Sequence, residues 1–395
     1  MMKKSRTYTL GLLLFWSSLS WADNTNTVIA TIGVGDTPAG IAVTPDSLFA
    51  YVANNNNDGL PNGDSVSVLN LTHNTLQQTI HDSSFNEPYT ITINAAGTKA
   101  YVTNSGGSTV TIIDIASNAA IGTISGFDGP SGFVITPDGN HAYANNYGSA
   151  GGVGSGNGTT VRVVDLNTNA IVGSPLTVGR APAALAITPD GAYVYVVSYV
   201  DGNLGTGTIS IIKTSDNSVQ LNAILGFSGP FAIAITPNGK YAYVTNFGSN
   251  NFSPVGTTVS VVSIGSNTIV NTITLGIQPS GIAITPDGSY AYISNYSTVY
   301  NGMSFTDLTS SQGTVDILSL PTNTVISPII GGLGVAPDAI TISPNGQFAY
   351  VTNYSSNTVS VIALPSTLYN INRLTQPYNL QLDDTITKLN QAGQQ

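Results

Sequence analysis

An all-β fold, a seven-bladed β-propeller of four-stranded antiparallel blades, is what this sequence predicts, and three observations carry the prediction. One hairpin recurs seven times. The seventh unit is one strand short, and a strand of the missing form stands at the other end of the chain. Gly (42 residues) and small polar residues crowd between short apolar runs, while only 8% of the 395 residues are charged and 41% are hydrophobic. That balance argues for a packed, turn-rich β protein and against disorder.

The hairpin reads I-T-P-D-G-S-Y-A-Y-I-S-N at Ile284–Asn295. Near copies stand at Val43–Asn54, Ile93–Asn104, Ile135–Asn146, Ile187–Ser198, Ile235–Asn246 and Ile342–Asn353. An alternating apolar run enters a turn, and a second run rich in Tyr and Val leaves it. In T-P-D-G the Pro presets φ, the Asp bonds local backbone and the Gly closes the turn. Copies spaced by about fifty residues mark units that bury their faces only against neighbours. Blades set around one axis make one domain whatever the length, so the propeller is expected over residues 23–366.

Each unit runs inner, second, third and outer strand. In the sixth these are Gly281–Thr285, Tyr290–Asn295, Thr314–Leu318 and Thr324–Ile330. Turn-plus-strand segments for the outer strands begin at Asn74, Asn118, Asn169, Asn217, Asn267 and Asn323. The seventh unit supplies only Ala339–Ser343, Gln347–Asn353 and Thr358–Leu364 before Pro365. Asn26–Gly35 (N-T-V-I-A-T-I-G-V-G) has the form of an outer strand, turn Asn included, and is expected to complete the last blade. Closure of this kind removes the open sheet edge.

Antiparallel connectivity sorts the loops. One face carries short, near-identical turns. The other carries loops of individual length, long at Asn55–Asp64, Tyr147–Gly158, Phe247–Gly256 and Tyr296–Gly313. Uniform turns are scaffold, and individual loops are where binding is tuned. Beyond Ser366 the repeat ends. Thr367–Gln395 is read as a tail with a short helix around Leu382, Ile386 and Leu389.

The first 22 residues read as a secretory signal. Lys3, Lys4 and Arg6 precede an apolar run, Leu10–Leu19, and Ser20-Trp21-Ala22 suits a signal peptidase. An exported protein, periplasmic or at the cell surface, is the expectation. The apolar run is too short to span a membrane comfortably, and no later segment qualifies. Cys is absent, so packing and β ladders must hold the fold without disulfides. Beyond the leader, seven basic residues face twenty acidic ones, a formal −13. No basic run follows a phosphate backbone, which argues against nucleic acid.

Tyr101–Asn104, Tyr243–Asn246 and Tyr350–Asn353 spell Y-V-T-N, with Y-V-A-N at Tyr51–Asn54 and Y-I-S-N at Tyr292–Asn295. Joined to I-T-P-D-G, these segments resemble the YVTN-repeat β-propeller family of exported bacterial and archaeal proteins, over nearly all of residues 26–364. The sequence departs from the pattern at Asn94–Gly97, Tyr143–Asn146 and Tyr195–Ser198. The resemblance implies surface or periplasmic propellers, mostly without assigned chemistry; related propellers include lactonases and haem d1 domains.

The repeat residues themselves read as structural. A Pro precedes each inner strand (Pro38, Pro88, Pro130, Pro182, Pro230, Pro279, Pro337), and the Asn closing each Y-V-T-N is expected to bond its own loop backbone. Just after that Asn, five blades carry Tyr147, Tyr199, Phe247, Tyr296 and Tyr354. They read either as an aromatic platform for a sugar, peptide or planar ligand, or, more plainly, as filler between blades that diverge outwards. Asp58 and Asp64 of the first long loop lie beside His81, Asp82 and Glu87 of the adjoining blade-to-blade loop. Two such loops would suit Ca2+, although solvated acids are the simpler account. Asp36, Asp128, Asp201 and Asp338 are placed elsewhere on that face. His73 flanks a scaffold turn, and His141 reads as a packed substitute for an aromatic ring.

Three functions follow. The first is a non-catalytic binding propeller, monomeric, engaging a protein, glycan or small molecule at the loop-rich face and needing no cofactor. The second is a metal-assisted, lactonase-like hydrolase using Asp58, Asp64 and Glu87. The third is a propeller carrying a redox cofactor.

Overall fold

The computed structural model describes residues 25–55, 64–148, 156–200, 206–248, 255–296 and 313–365. The expected leader, the C-terminal tail, and Asp58 and Asp201 lie outside them. Among the described residues every regular element is a β-strand, and the strands form seven four-stranded sheets. None is a helix long and apolar enough to cross a membrane. Six blades are contiguous in sequence. The seventh joins Pro337–Ile342, Phe348–Asn353 and Thr358–Ala363 to Thr27–Gly33 from the other end of the chain. Thr27 pairs with Ala363 and Gly33 with Thr358, antiparallel. The inner strands touch their neighbours in one closed cycle, that of blade 7 meeting that of blade 1.

Seven apolar clusters fill the seven gaps between blades. At the closure, Ile32, Ile41, Ala50, Val52 and Leu69 pack with Tyr350, Val359 and Val361. Alternation dictates this: second and third strands are buried on both faces, whereas outer strands alternate exposed and part-buried positions. The inner strands begin at the proline itself in six blades, for example Pro279–Ile284, two residues earlier than periodicity suggests. Pro lacks only the donor, and its carbonyl side still joins the ladder.

The second strand performs four tasks in order. Its Tyr reaches the turn Asn of the next blade: Tyr143 Oη donates to Asn217 Oδ1 (2.7 Å), Tyr195 to Asn267 (2.6 Å) and Tyr243 to Asn323 (2.7 Å). Those Asn residues, all at φ near +52 to +56°, occupy the left-handed region that Asn tolerates. The following Val or Ile fills the gap between blades. The Thr that comes next pins a bulge. Every inner strand slips register after its Pro, and where the second strand carries Thr its hydroxyl takes the freed N–H: Thr90 N to Thr103, Ala232 N to Thr245, Ala339 N to Thr352, each 2.9 Å. Ser294 and Asn145 do so in blades 6 and 3, while Ala53 and Val197 stand at this position in blades 1 and 4. The closing Asn differs from expectation. Its Nδ2 donates to third-strand hydroxyls, as Asn353 does to Thr358 (3.0 Å) and Ser360 (2.9 Å), and in blades 2 and 3 its Oδ1 accepts from the blade-to-blade loop, from Asn86 N (3.3 Å) and Asp128 N (3.1 Å).

Tyr292 makes the same contact with Asn26 (2.7 Å, φ 57°) that internal blades make with their turn Asn. Asn26→Ala loses that bond and places a Cβ-bearing residue in the left-handed region, together about 1–2 kcal/mol. Thermal denaturation should show Asn26→Ala and Asn217→Ala lowering Tm by similar amounts. A silent Asn26→Ala beside a damaging Asn217→Ala would mean that the N-terminal strand is not seated.

Candidate functional site

One residue past each proline, at the loop-rich end of the inner strand, stands a position that differs from blade to blade. These seven positions are Ala39, Tyr89, Ser131, Ala183, Phe231, Ser280 and Asp338. Four are small, two aromatic and one acidic. Tyr89 of blade 2 lies within electrostatic reach of Asp338 and Tyr354 of blade 7, Tyr296 of blade 6 and Tyr147 of blade 3. Groups from four blades meet in this way only at the ring's centre, so the cluster marks the mouth of the central channel on the loop-rich face.

Aromatic side chains continue around one side. Phe231 and Phe247 have ring centroids 5.3 Å apart, Phe247 meets Tyr296 edge-on at 5.9 Å, and Tyr296 meets Tyr354 at 6.5 Å. These spacings suit offset or edge-to-face contact. Tyr147, Phe247, Tyr296 and Tyr354 are each half-buried, so each keeps part of its surface accessible. Tyr199 does not join them. It is buried, and its Oη donates to Gly248 O in the next blade at 2.5 Å, so at this one position filler describes it fully.

Asp338 is the mouth's acid. Ser280 Oγ, from the neighbouring inner strand, donates to its Oδ1 at 2.5 Å, and the Asp338 carbonyl accepts from Ser294 Oγ at 2.5 Å. Burial pushes its carboxyl up to about 6, against which the Ser280 hydrogen bond works in the opposite sense. Burial also raises the phenols of Tyr89, Tyr147 and Tyr296, with the Asp338 charge adding to the effect on Tyr89 and Tyr296. Sequence reasoning left Asp338 among scattered loop acids and passed over Tyr89 and Phe231. The signal was available as a fixed offset, one residue beyond each once-per-blade proline.

The other expected acids are less gathered. Glu87 is half-buried and its carboxyl is raised by burial and by the charge of Asp64, which places those two acids together. Glu87 Oε2 accepts no hydrogen bond. Asp82 is exposed and turned to its own loop, accepting from Ser84 N at 2.9 Å. Among the described residues no three His, Asp or Glu side chains converge as a metal site would require. His81 is exposed. His141 is exposed too, contrary to the packed role expected, because the first position of the second strand opens onto solvent beside the scaffold turn.

Comparison with known proteins agrees with this architecture. A family model described as "Lactonase, 7-bladed beta-propeller" matches residues 203–381. The "Seven-bladed beta-propeller protein Rv1057" of Mycobacterium tuberculosis (strain ATCC 25618 / H37Rv) is 30% identical over 146 residues, 36% of this chain and 33% of that protein. The chain is a seven-bladed β-propeller. From the same organism, "PE-PGRS family protein PE_PGRS18" is 42% identical over 59 residues, 15% of this chain and 13% of that protein. The propeller thus spans a third or less of the length of these curated relatives. Among solved structures, "Kuenenia stuttgartiensis Hydrazine Synthase" superposes with a TM-score of 0.67 at 22% identity, over 83% of this chain and 96% of that chain, a likeness of fold.

Asp338 carries a stability consequence whose sign is definite. A carboxyl whose pKa is raised by folding favours the folded state when protonated, so its charge opposes folding above about pH 6. Asp338→Asn keeps an oxygen for Ser280 and removes that charge. The variant should be more stable than wild type at pH 8 by about 2 kcal/mol, with the gain vanishing below the ordinary carboxylate value of 3.8. Tm measured across about pH 3–8, which brackets both the ordinary and the raised carboxyl, checks this; a variant less stable at pH 8 would refute it.

Proposed function

We propose that the protein is an exported, non-catalytic binding propeller of the YVTN-repeat kind, which receives its ligand at the loop-rich face with the channel mouth as the seat. One observation supports this most: half-buried aromatic side chains from several blades gather at the axis around one carboxyl. Concave, mostly apolar surfaces with few polar groups are where ligands bind. Export rests on the basic-then-apolar leader, and implies a periplasmic or surface protein. Replacing residues 297–312 and 149–155 by short turns like Ser105–Ser108 should leave Tm within about 2 °C, because surface-loop changes are tolerated. Capture of ligands on a glycan and metabolite array should change. Identical capture by both variants would move binding to another surface.

A second reading, a metal-assisted lactonase-like hydrolase, is favoured by the match to the lactonase-type family model and by the Asp64–Glu87 pair. The fit to a metal is partial. Glu87 Oε2 lacks a hydrogen bond and Asp64 stands beside it, whereas Asp82 serves its own turn. Calcium held there would supply charge to polarise a lactone carbonyl, and Asp64 and Glu87 would hold it. On this reading calcium raises Tm by several degrees, chelator reverses the shift, and Glu87→Gln abolishes it. Melting curves indifferent to calcium and chelator, with no lactone turnover, would dispose of the hydrolase.

A further inference from the structure

We propose that the channel mouth recognises an organic cation, an ammonium group caged by Tyr89, Phe231, Phe247, Tyr296 and Tyr354 and paired with Asp338. This rests on the reading of the mouth as the binding seat and names the ligand class. The faces of aromatic rings are negative, and a cation set among several of them is held without a shell of water. At this mouth the rings come from blades 2, 5, 6 and 7, and the chain of contacts Phe231–Phe247–Tyr296–Tyr354 gives a continuous wall. Tyr89, from blade 2, lies within electrostatic reach of Tyr296 and Tyr354 in that wall and of Asp338.

The charge at the site is one-signed. Around Asp338 stand Ser280 on the adjoining inner strand and the phenols of Tyr89, Tyr296 and Tyr354; among the described residues no Lys, Arg or His acts on it. Among the other described cations, Lys213 pairs with Asp216 at 3.5 Å and the Arg180 guanidinium is tied to Asn157 Oδ1 at 2.7 Å. A desolvated carboxyl with no countercharge repels anions and is unsatisfied by neutral ligands. A sugar would need several donors and acceptors in addition to stacking surface, and Ser280 Oγ is already committed to Asp338. A cation satisfies both the carboxylate and the ring faces.

Cation binding requires the ionised carboxyl. Affinity should therefore be constant above about pH 6 and fall about tenfold per unit below it. Because the bound cation favours ionisation, it should also oppose the raised pKa.

The test uses calorimetric titration of the whole protein with choline, benzyltrimethylammonium and the uncharged tert-butyl isostere of choline, dimethylbutanol. The proposal expects both cations to bind at pH 7.5 at least tenfold more tightly than the isostere. Asp338→Asn should erase that preference, Tyr296→Leu should weaken both cations, and each variant should keep its cooperative melting. Equal binding of cation and isostere, unaffected by Asp338→Asn, would overturn the cation assignment and leave the mouth as a binding seat. Failure of every probe to bind, in wild type as in the variants, would overturn the assignment and remove support for the seat as well.

Discussion

In three blades a single second-strand hydroxyl ties its own inner strand to that of the next blade. Thr245 Oγ1 accepts the N–H that the bulge in its own inner strand sets free, and donates to Ser280 O of the next blade at 2.8 Å. Ser294 does the same for Asp338 O, and Thr352 for Ala39 O at 2.9 Å across the closure. In blade 3 Asn145 substitutes, taking Gly132 N and donating to Pro182 O. The accepting carbonyls belong to Ser280, Asp338 and Ala39, each one residue past its blade's proline. Blade spacing and the placement of these positions are thus fixed by the same bonds. A buried donor left without its acceptor would cost about 1–3 kcal/mol, which keeps the bulge and the fastener together.

The architecture was legible in the sequence because its signals repeat. Asn26 betrayed the closing strand: an Asn ahead of T-V-I-A-T-I matters only where a turn precedes an outer strand, and Tyr292 treats it as such. Strand order, the seventh blade's deficit and the sorting of loops between faces followed from the same periodicity. What periodicity could not show was the direction of a side chain next to a bulge. An alternating strand would send the residue after Pro337 to one predictable face, but the register slip between Pro337 and Ile340 re-aims it.

The site was legible only in part for a related reason. Tyr199 and Tyr296 occupy the same place in their repeats, yet one hydroxyl is consumed by Gly248 O within the wall and the other ring stays half-open beside Asp338. The difference lies in the next blade, which offers the Gly248 carbonyl to Tyr199 and the Asp338 charge to Tyr296. No single repeat contains that information. His141 went astray similarly, since Tyr241 at the equivalent position is itself 40% exposed and so never marked a packed site.

The contrast between what the ring needs and what its mouth contains is the strongest sign that the mouth has a use. Ala39, Ser131, Ala183 and Ser280 show that small residues satisfy the geometry after the proline. An aspartate there, set among aromatic rings and raised by burial, weakens the fold at neutral pH without serving the ladder. Tyr89 and Phe231 likewise bring large apolar surface to an opening that the closure does not require them to fill. Groups that disfavour folding and yet stand preorganised together are characteristic of binding sites, where the missing partner supplies what the free protein lacks. The scaffold face shows the opposite economy. Its aspartates, such as Asp138 and Asp190, are held below the usual carboxylate range by the Thr hydroxyl and the N–H groups of their own turns, so they strengthen folding at neutral pH and lose that effect only as acid protonates them. Acids that build the ring and the acid that burdens it therefore lie on opposite faces of one molecule.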